Sequence, residues 1–314
     1  MELRTVLRII VLAIALLLPG LATAQPAFSR PPAITGISHI TLFANDLPKS
    51  QKFYVGLLGW DQVPSSAAKP GVRFYANHLQ YVELVSPPSP GLADRVDLVA
   101  FSTSDAEALR MYLGAHGVAV PQAVSVEPDG SRSFVVRDPE GNKVGFTQAG
   151  DRPPVEPASA KQSLSSHIIH AGYVVRNRAA LDHFYKELLG FHLYWQGGNP
   201  SDRIDWVMMQ VPNGTDWVEY MLYLPTNPSL AQLGSANHLA PGVASVAELQ
   251  AKLEARGWKP APNKSPQVLG VDGKMQLDLT DPDGTRIEFM EFQPVRTPCC
   301  SPYTGAQPDP SANW

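Results

Sequence analysis

Two stretches of this chain repeat the same pattern of apolar and polar positions. Residues 37–60 (ISHITLFANDLPKSQKFYVGLLGW) and 168–191 (IIHAGYVVRNRAALDHFYKELLGF) each hold a histidine, a short apolar run, a polar turn and a helical stretch ending Leu-Leu-Gly-aromatic. Each predicts a strand and then a helix that stops at Gly59 or Gly190, where glycine takes the left-handed backbone geometry at little cost. His39 lies fourteen residues before Phe53, as His170 does before Phe184. A second matched pair closes each repeat: FVVRDPEGNKVGF (134–146) and LDLTDPDGTRIEF (277–289). These predict a strand, a tight Asp-Pro-acid-Gly turn and a returning strand. The alternation of Met275, Leu277 and Leu279 marks one of them as half-buried. Further helices are predicted at 106–116 and 247–256, before Gly117 and Gly257; Val246, Leu249 and Leu253 give the second an apolar stripe.

Each half thus reads strand, helix, strands, then strand, helix, strands: an α+β protein of two tandem domains, residues 34–149 and 167–292, built from four βαβββ modules. Residues 150–166, rich in Pro, Ser and Ala without an apolar period, predict a linker, and residues 293–314 a Pro-rich tail. Residues 1–24 read as an export signal: Arg4 and Arg8, the apolar run Ile9 to Leu18, Pro19-Gly20, and the small-residue site Ala22-Thr23-Ala24. The apolar run is short for a membrane anchor, which takes about 20 residues. The expected location is therefore periplasmic or secreted, with no membrane attachment after cleavage.

Net charge is −4 and no stretch concentrates Lys or Arg, which excludes the electrostatic footprint of a nucleic-acid binder. The two cysteines, Cys299 and Cys300, are adjacent in the tail, so no disulfide framework staples the fold. A bond between neighbours is strained, and a free thiol or an intermolecular link is an equal expectation.

Four polar residues fall within strands whose neighbours belong in a core: His170, Glu219, His238 and Glu288, separated by 49, 19 and 50 residues. Two imidazoles and two carboxylates suit a divalent transition metal, and a cation offsets the cost of burying the carboxylates. Individually, each residue also fits a plain structural role, such as a satisfied core histidine or an outward carboxylate paired with a surface cation. The first half matches this set only in part. His39 and Glu83 are present, but Leu98 and Gly145 stand where His238 and Glu288 have their counterparts.

Over residues 34–149 and 167–292 the chain resembles the vicinal oxygen chelate superfamily, which includes glyoxalase I, fosfomycin and bleomycin resistance proteins, and type I extradiol dioxygenases. The helix signature and the Asp-Pro-acid-Gly-x-x-x-Glu ending carry the resemblance. It implies that paired modules form incomplete barrels, with metal ligands from the first and last strands of each module. His170 with Glu219, and His238 with Glu288, would then hold one divalent ion (Zn, Ni, Co, Mn or Fe), the first domain being degenerate.

Three readings follow. The first is glyoxalase-like lyase or isomerase chemistry on a small substrate chelated through neighbouring oxygens, stabilising an enediolate or oxyanion, with Glu219 or Glu288 moving a proton. The second is a non-catalytic small-molecule binder whose pocket draws on Tyr173, Tyr194, Trp206, Trp217, Tyr220 and Tyr223. The third is an Fe(II) extradiol dioxygenase with His170, His238 and Glu288 as its triad. Against this third reading, Leu269 to Lys274 contains no histidine and Asp278 stands at that family's tyrosine position. A homodimer is compatible with all three. The loop from Gly197 to Ile204, with Arg203 between two aspartates, either closes over a ligand or is a solvated surface loop, the second being the preferred expectation.

Overall fold

A computed structural model describes residues 30–64, 71–89, 95–151, 162–262 and 265–309. The expected export signal and most of the linker lie outside these residues. The two halves form two eight-stranded curled sheets, as the repeat predicts. The first contains β1 (Ile34–Phe43), β2 (Asp61–Pro64), β3 (Val72–Tyr75), β4 (Tyr81–Val85), β5 (Val96–Thr103), β6 (Ser125–Val126), β7 (Arg132–Arg137) and β8 (Lys143–Gln148). The second contains β9 (Ile168–Val174), β10 (His192–Gly197), β11 (Trp206–Gln210), β12 (Trp217–Met221), β13 (His238–Val243), β14 (Gln267–Leu269), β15 (Met275–Thr280) and β16 (Arg286–Glu291). Strand orders are β2-β3-β4-β1-β5-β8-β7-β6 and β10-β11-β12-β9-β13-β16-β15-β14. In each sheet the leading strands of the two modules lie side by side and antiparallel, and each pairs in parallel with the last strand of its own module.

Helices α1 (Leu47–Gln51), α2 (Ala106–Ala115), α3 (Arg178–Asp182), α4 (Leu230–Ala236) and α5 (Val246–Ala255) connect the strands. Asp46 caps α1 and Asn177 caps α3, each side chain accepting from the backbone N–H three residues on. Where the sequence predicts one regular helix, α1 and α3 continue as π-helical turns over Lys52–Leu57 and His183–Leu188. In the second half this wider turn buries two consecutive aromatics, Phe184 and Tyr185.

The two halves share one core. Phe101 meets Phe191 edge-on at 5.3 Å, and the Tyr112 hydroxyl donates to Leu188 O at 2.9 Å. Between them lies a buried polar network. Asp216 accepts from His167 Nε2 (2.6 Å), from the Ile37 N–H (2.7 Å) and from Gln80 Nε2 (3.3 Å). Gln80 also spans the Ile37 and Ile168 backbones of the two halves. The fit is tight enough that a Cβ on Gly36 would lie 2.6 Å from Asp216 Oδ2.

The Pro-rich end of the chain does not hang free. Residues 293–309 run along the second sheet as a strap: Trp195 Nε1 donates to Cys299 O, Thr304 N–H donates to Tyr194 O, and Gln210 Nε2 donates to Ala306 O. Tyr303 packs on Tyr194 at 4.7 Å between ring centres. Cys299 and Cys300 are joined to each other rather than left as thiols. Tails rich in proline dock this way when their carbonyls meet donors at a sheet edge, which a hydrophobic pattern does not signal. No helix among the described residues is long and apolar enough to cross a membrane.

Candidate metal centre

Register brings the four ligand candidates together. On β9, His170 is opposite Trp217 of β12, and Gly172 is opposite both Glu219 of β12 and His238 of β13; Glu288 sits on β16. All four side chains are buried, and their ligating atoms lie within 4.8 Å of one another. Among the described residues this is the one group of His, Cys, Asp or Glu that meets such a geometry. Gly172 makes room for it: a Cβ there would lie 2.1 Å from His238 Cε1.

His170 Nε2 and His238 Nε2 are 3.0 Å apart. Glu288 Oε2 lies 3.2 and 3.1 Å from these nitrogens, and Glu219 Oε2 lies 3.8 and 3.4 Å from them. Ligands about 2.0–2.2 Å from a central ion are separated by about 3–4 Å, so these spacings fit a bound cation. The donor chemistry fits as well. His238 Nδ1 donates to Ala236 O at 2.8 Å, which commits the ring proton there and leaves the Nε2 lone pair facing the centre. His170 is held by stacking on Trp217, 4.8 Å between ring centres, and its buried Nδ1 has no partner.

The charges are set by the same surroundings. Burial pushes His170 down to about 4 and lowers His238, with Arg286 adding to the effect, so both rings are neutral near pH 7. Burial and the charge of Glu288 push the Glu219 carboxyl well above the usual carboxylate range. For Glu288, burial acts upward, but the Arg286 guanidinium, with the neighbouring His170 and His238 rings, prevails and holds it well below that range. Arg286 opens β16, with Nη1 donating to Glu288 Oε1 at 3.1 Å.

Glu219, Glu288 and Arg286 open onto a cavity of about 310 Å³. Trp206 and Tyr223 line it, as the binder reading expects, but Tyr173, Tyr194, Trp217 and Tyr220 are buried in the core instead. Arg203, more than half exposed, pairs with Asp205 beyond the cavity rim.

The first sheet repeats half of this arrangement. His39 stacks on Tyr81 at 4.6 Å, as His170 does on Trp217. Glu83 is met by Arg73, Nε to Oε1 3.1 Å, and the guanidinium also covers the Tyr81 ring. Arg73 pairs with Glu83 in register as Met208 does with Glu219, so a side-chain cation neutralises the first-half carboxylate. Leu98 faces Thr41 where His238 faces Gly172, and Gly145 replaces the last carboxylate. With Thr41 in place of glycine, the opening for an imidazole is also gone.

Sequence reasoning missed Arg286 and a buried cluster against the strap. Lys274 Nζ donates to Phe292 O at 2.6 Å and lies between the Trp217 and Tyr303 rings. Asp272 accepts from the Tyr303 hydroxyl at 3.1 Å and lines the cavity. Burial lowers Lys274 to about 7 and raises Asp272 to about 6. Between pH 7 and the normal lysine range, the unfolded chain therefore binds the extra proton at Lys274, and stability should rise with pH across that window. The melting-temperature difference between Lys274→Met and the parent, measured from pH 7 to 10, should shift steadily in the parent's favour. A difference independent of pH would refute the assignment.

Against known proteins, the family profile for the Glyoxalase/Bleomycin resistance protein/Dioxygenase superfamily matches residues 36–146 and 167–289. The chain belongs to this superfamily. Solved structures similar to it include a Mn(II)-bound glyoxalase from Novosphingobium aromaticivorans, with TM-score 0.61, 19% identity and 83% of each chain covered. Homoprotocatechuate 2,3-dioxygenase from Arthrobacter globiformis has TM-score 0.64 at 20% identity, covering 90% of this chain and 84% of that one. The 2,3-dioxygenase LapB from Pseudomonas sp. KL28 has TM-score 0.62 at 15% identity, covering 90% and 96%. At such identities the likeness is one of fold. No curated protein matches the chain in sequence.

Proposed function

We propose that the chain is a divalent-metal-dependent lyase or isomerase of the glyoxalase kind, acting outside the cytoplasm on a small substrate with two neighbouring oxygens. The observation that carries this reading is the unequal engagement of the two carboxylates. Glu288 approaches both imidazoles to within 3.2 Å and is clamped from behind by Arg286, whereas Glu219 stands further off at 3.4 and 3.8 Å and lacks an equivalent clamp. His170, His238 and Glu288 would hold the ion, with Glu219 as the looser fourth ligand. When bound, a divalent ion supplies Lewis-acid stabilisation of negative charge developing on substrate oxygens. Glu219, at the cavity wall, is the group able to accept a proton from the substrate and return it to a neighbouring carbon. The aromatic and thioether walls, Trp206, Met208 and Tyr223, limit water around the transfer.

The location outside the cytoplasm rests on residues 1–24 alone. The ligand geometry also accommodates an iron dioxygenase triad, but Asp278, at the position where that chemistry calls for tyrosine, lies 3.7 Å from Arg286 as an ion pair.

The test is elemental analysis of protein purified without chelator and without oxygen, alongside two variants. The parent should hold about one ion per chain. Glu288→Gln should lose it, and Glu219→Gln should retain it with affinity reduced by about 10–100-fold. Equal loss in both variants would make Glu219 an ordinary ligand and remove the proton carrier. Iron, with oxygen-dependent cleavage of a catechol, would establish the dioxygenase instead. Failure to bind metal after reconstitution would favour a non-catalytic binder.

A further inference from the structure

We infer that Arg286 makes this cavity selective for a carboxylate, so that the substrate is an α-oxo or α-hydroxy acid. The inference rests on the metal-centre reading above and deepens it. Arg286 has three engagements. Nε donates to Ser235 O at 2.8 Å, Nη1 donates to Glu288 Oε1 at 3.1 Å, and Nη2 donates to His238 Nε2 at 3.1 Å. The first two are compatible with a loaded centre, because Glu288 turns its other oxygen, Oε2, toward the imidazoles.

The third is not compatible. His238 has its Nδ1 proton committed to Ala236 O, so Nε2 offers a single lone pair. That lone pair serves either the guanidinium or a metal ion. Loading the centre therefore releases Nη2, which remains charged, largely buried and on the cavity wall. A buried guanidinium N–H demands a new acceptor. Asp278 is 3.7 Å from Nη1 and half exposed, and Asp272 already accepts from Tyr303 and from the Lys274 backbone.

The acceptor has to come from within the cavity. A carboxylate next to an oxo or hydroxyl group combines such an acceptor with two neighbouring oxygens. One carboxylate oxygen can then accept a charge-assisted hydrogen bond from the freed Nη2.

The test uses Mn(II)-loaded protein, titrated calorimetrically with pyruvate and with its neutral isostere pyruvamide. Pyruvate should bind at least about tenfold more tightly to the parent, the scale of one charge-assisted hydrogen bond. Arg286→Gln should bring the two ligands within about twofold of each other, and Arg286→Lys should restore part of the preference. Manganese content is measured on every sample. Where Arg286→Gln holds less metal, affinities are compared per Mn(II)-loaded site, and a preference undiminished there overturns the inference. Equal affinities in the Mn(II)-loaded parent, or a preference that survives Arg286→Gln, would overturn this inference and leave the metal centre standing. A parent that takes up no Mn(II) would overturn both.

Discussion

Replacing His238 with alanine is expected to reduce metal content from about one ion per chain to less than a tenth of that, with the fold retained. His238 supplies the ligand atom closest to both His170 Nε2 and Glu288 Oε2, so its loss opens the centre rather than loosening one side. Loss of an outer hydrogen bond to a ligand already costs about 10–100-fold in affinity, and loss of a ligand costs more. The fold survives because β13 is anchored by Leu239 and Ala240 in the surrounding apolar core. His39→Ala is the control. That ring belongs to a sheet whose carboxylate is already met by Arg73, so metal content should not change. Elemental analysis with circular dichroism decides the matter. Full metal in His238→Ala would place the ion elsewhere, and loss in His39→Ala would mean that the first half shares the site.

The second large effect concerns stability. Asp216→Ala should destabilise the protein by about 2–5 kcal/mol, because two buried donors each lose their acceptor at about 1–3 kcal/mol apiece. The variant strands His167 Nε2 and the Ile37 N–H without an acceptor, in a region closed to water. Asp216→Asn keeps one acceptor oxygen and should recover part of the loss. Urea unfolding measures both; a change below about 1 kcal/mol would show that water or rearrangement replaces the carboxylate. Because Trp217 follows Asp216 and stacks on His170, the alanine variant should also bind metal more weakly. By that route the first half, whose described residues hold no metal cluster, would support the metal centre in the second.

Much of this organisation was legible in the chain. Strand pairing follows from the repeated blocks, because a period-two apolar pattern between fixed turns leaves one register that buries it. The Asp281-Pro282-Asp283-Gly284 turn was equally plain, and Gly284 does adopt positive φ, while Asp281 accepts the Asp283 and Thr285 N–H groups. The four ligand candidates could be named because polar residues in core strands need a reason to be there. Arg286 could not be singled out, since an arginine beside a turn usually reaches solvent; only the curl of the sheet turns it inward. Lys274 escaped for a similar reason. Its surroundings come from Trp217 and Tyr303, which are far from it in sequence and brought together by the strap. The π-helical turns left no trace in the apolar spacing, which a wider turn shifts by one residue only.

The strap also acts as a cover. Tyr303 closes over Asp272 and Lys274, and Asp272 in turn lines the cavity, so the strap meets the site through one carboxylate and builds none of its wall. A protease cut before residue 299 would leave the four ligands and both sheets in place but bare a buried ionisable pair beside the cavity. The strap's lever on the site is therefore the charge of Asp272 and Lys274, not the cavity's shape.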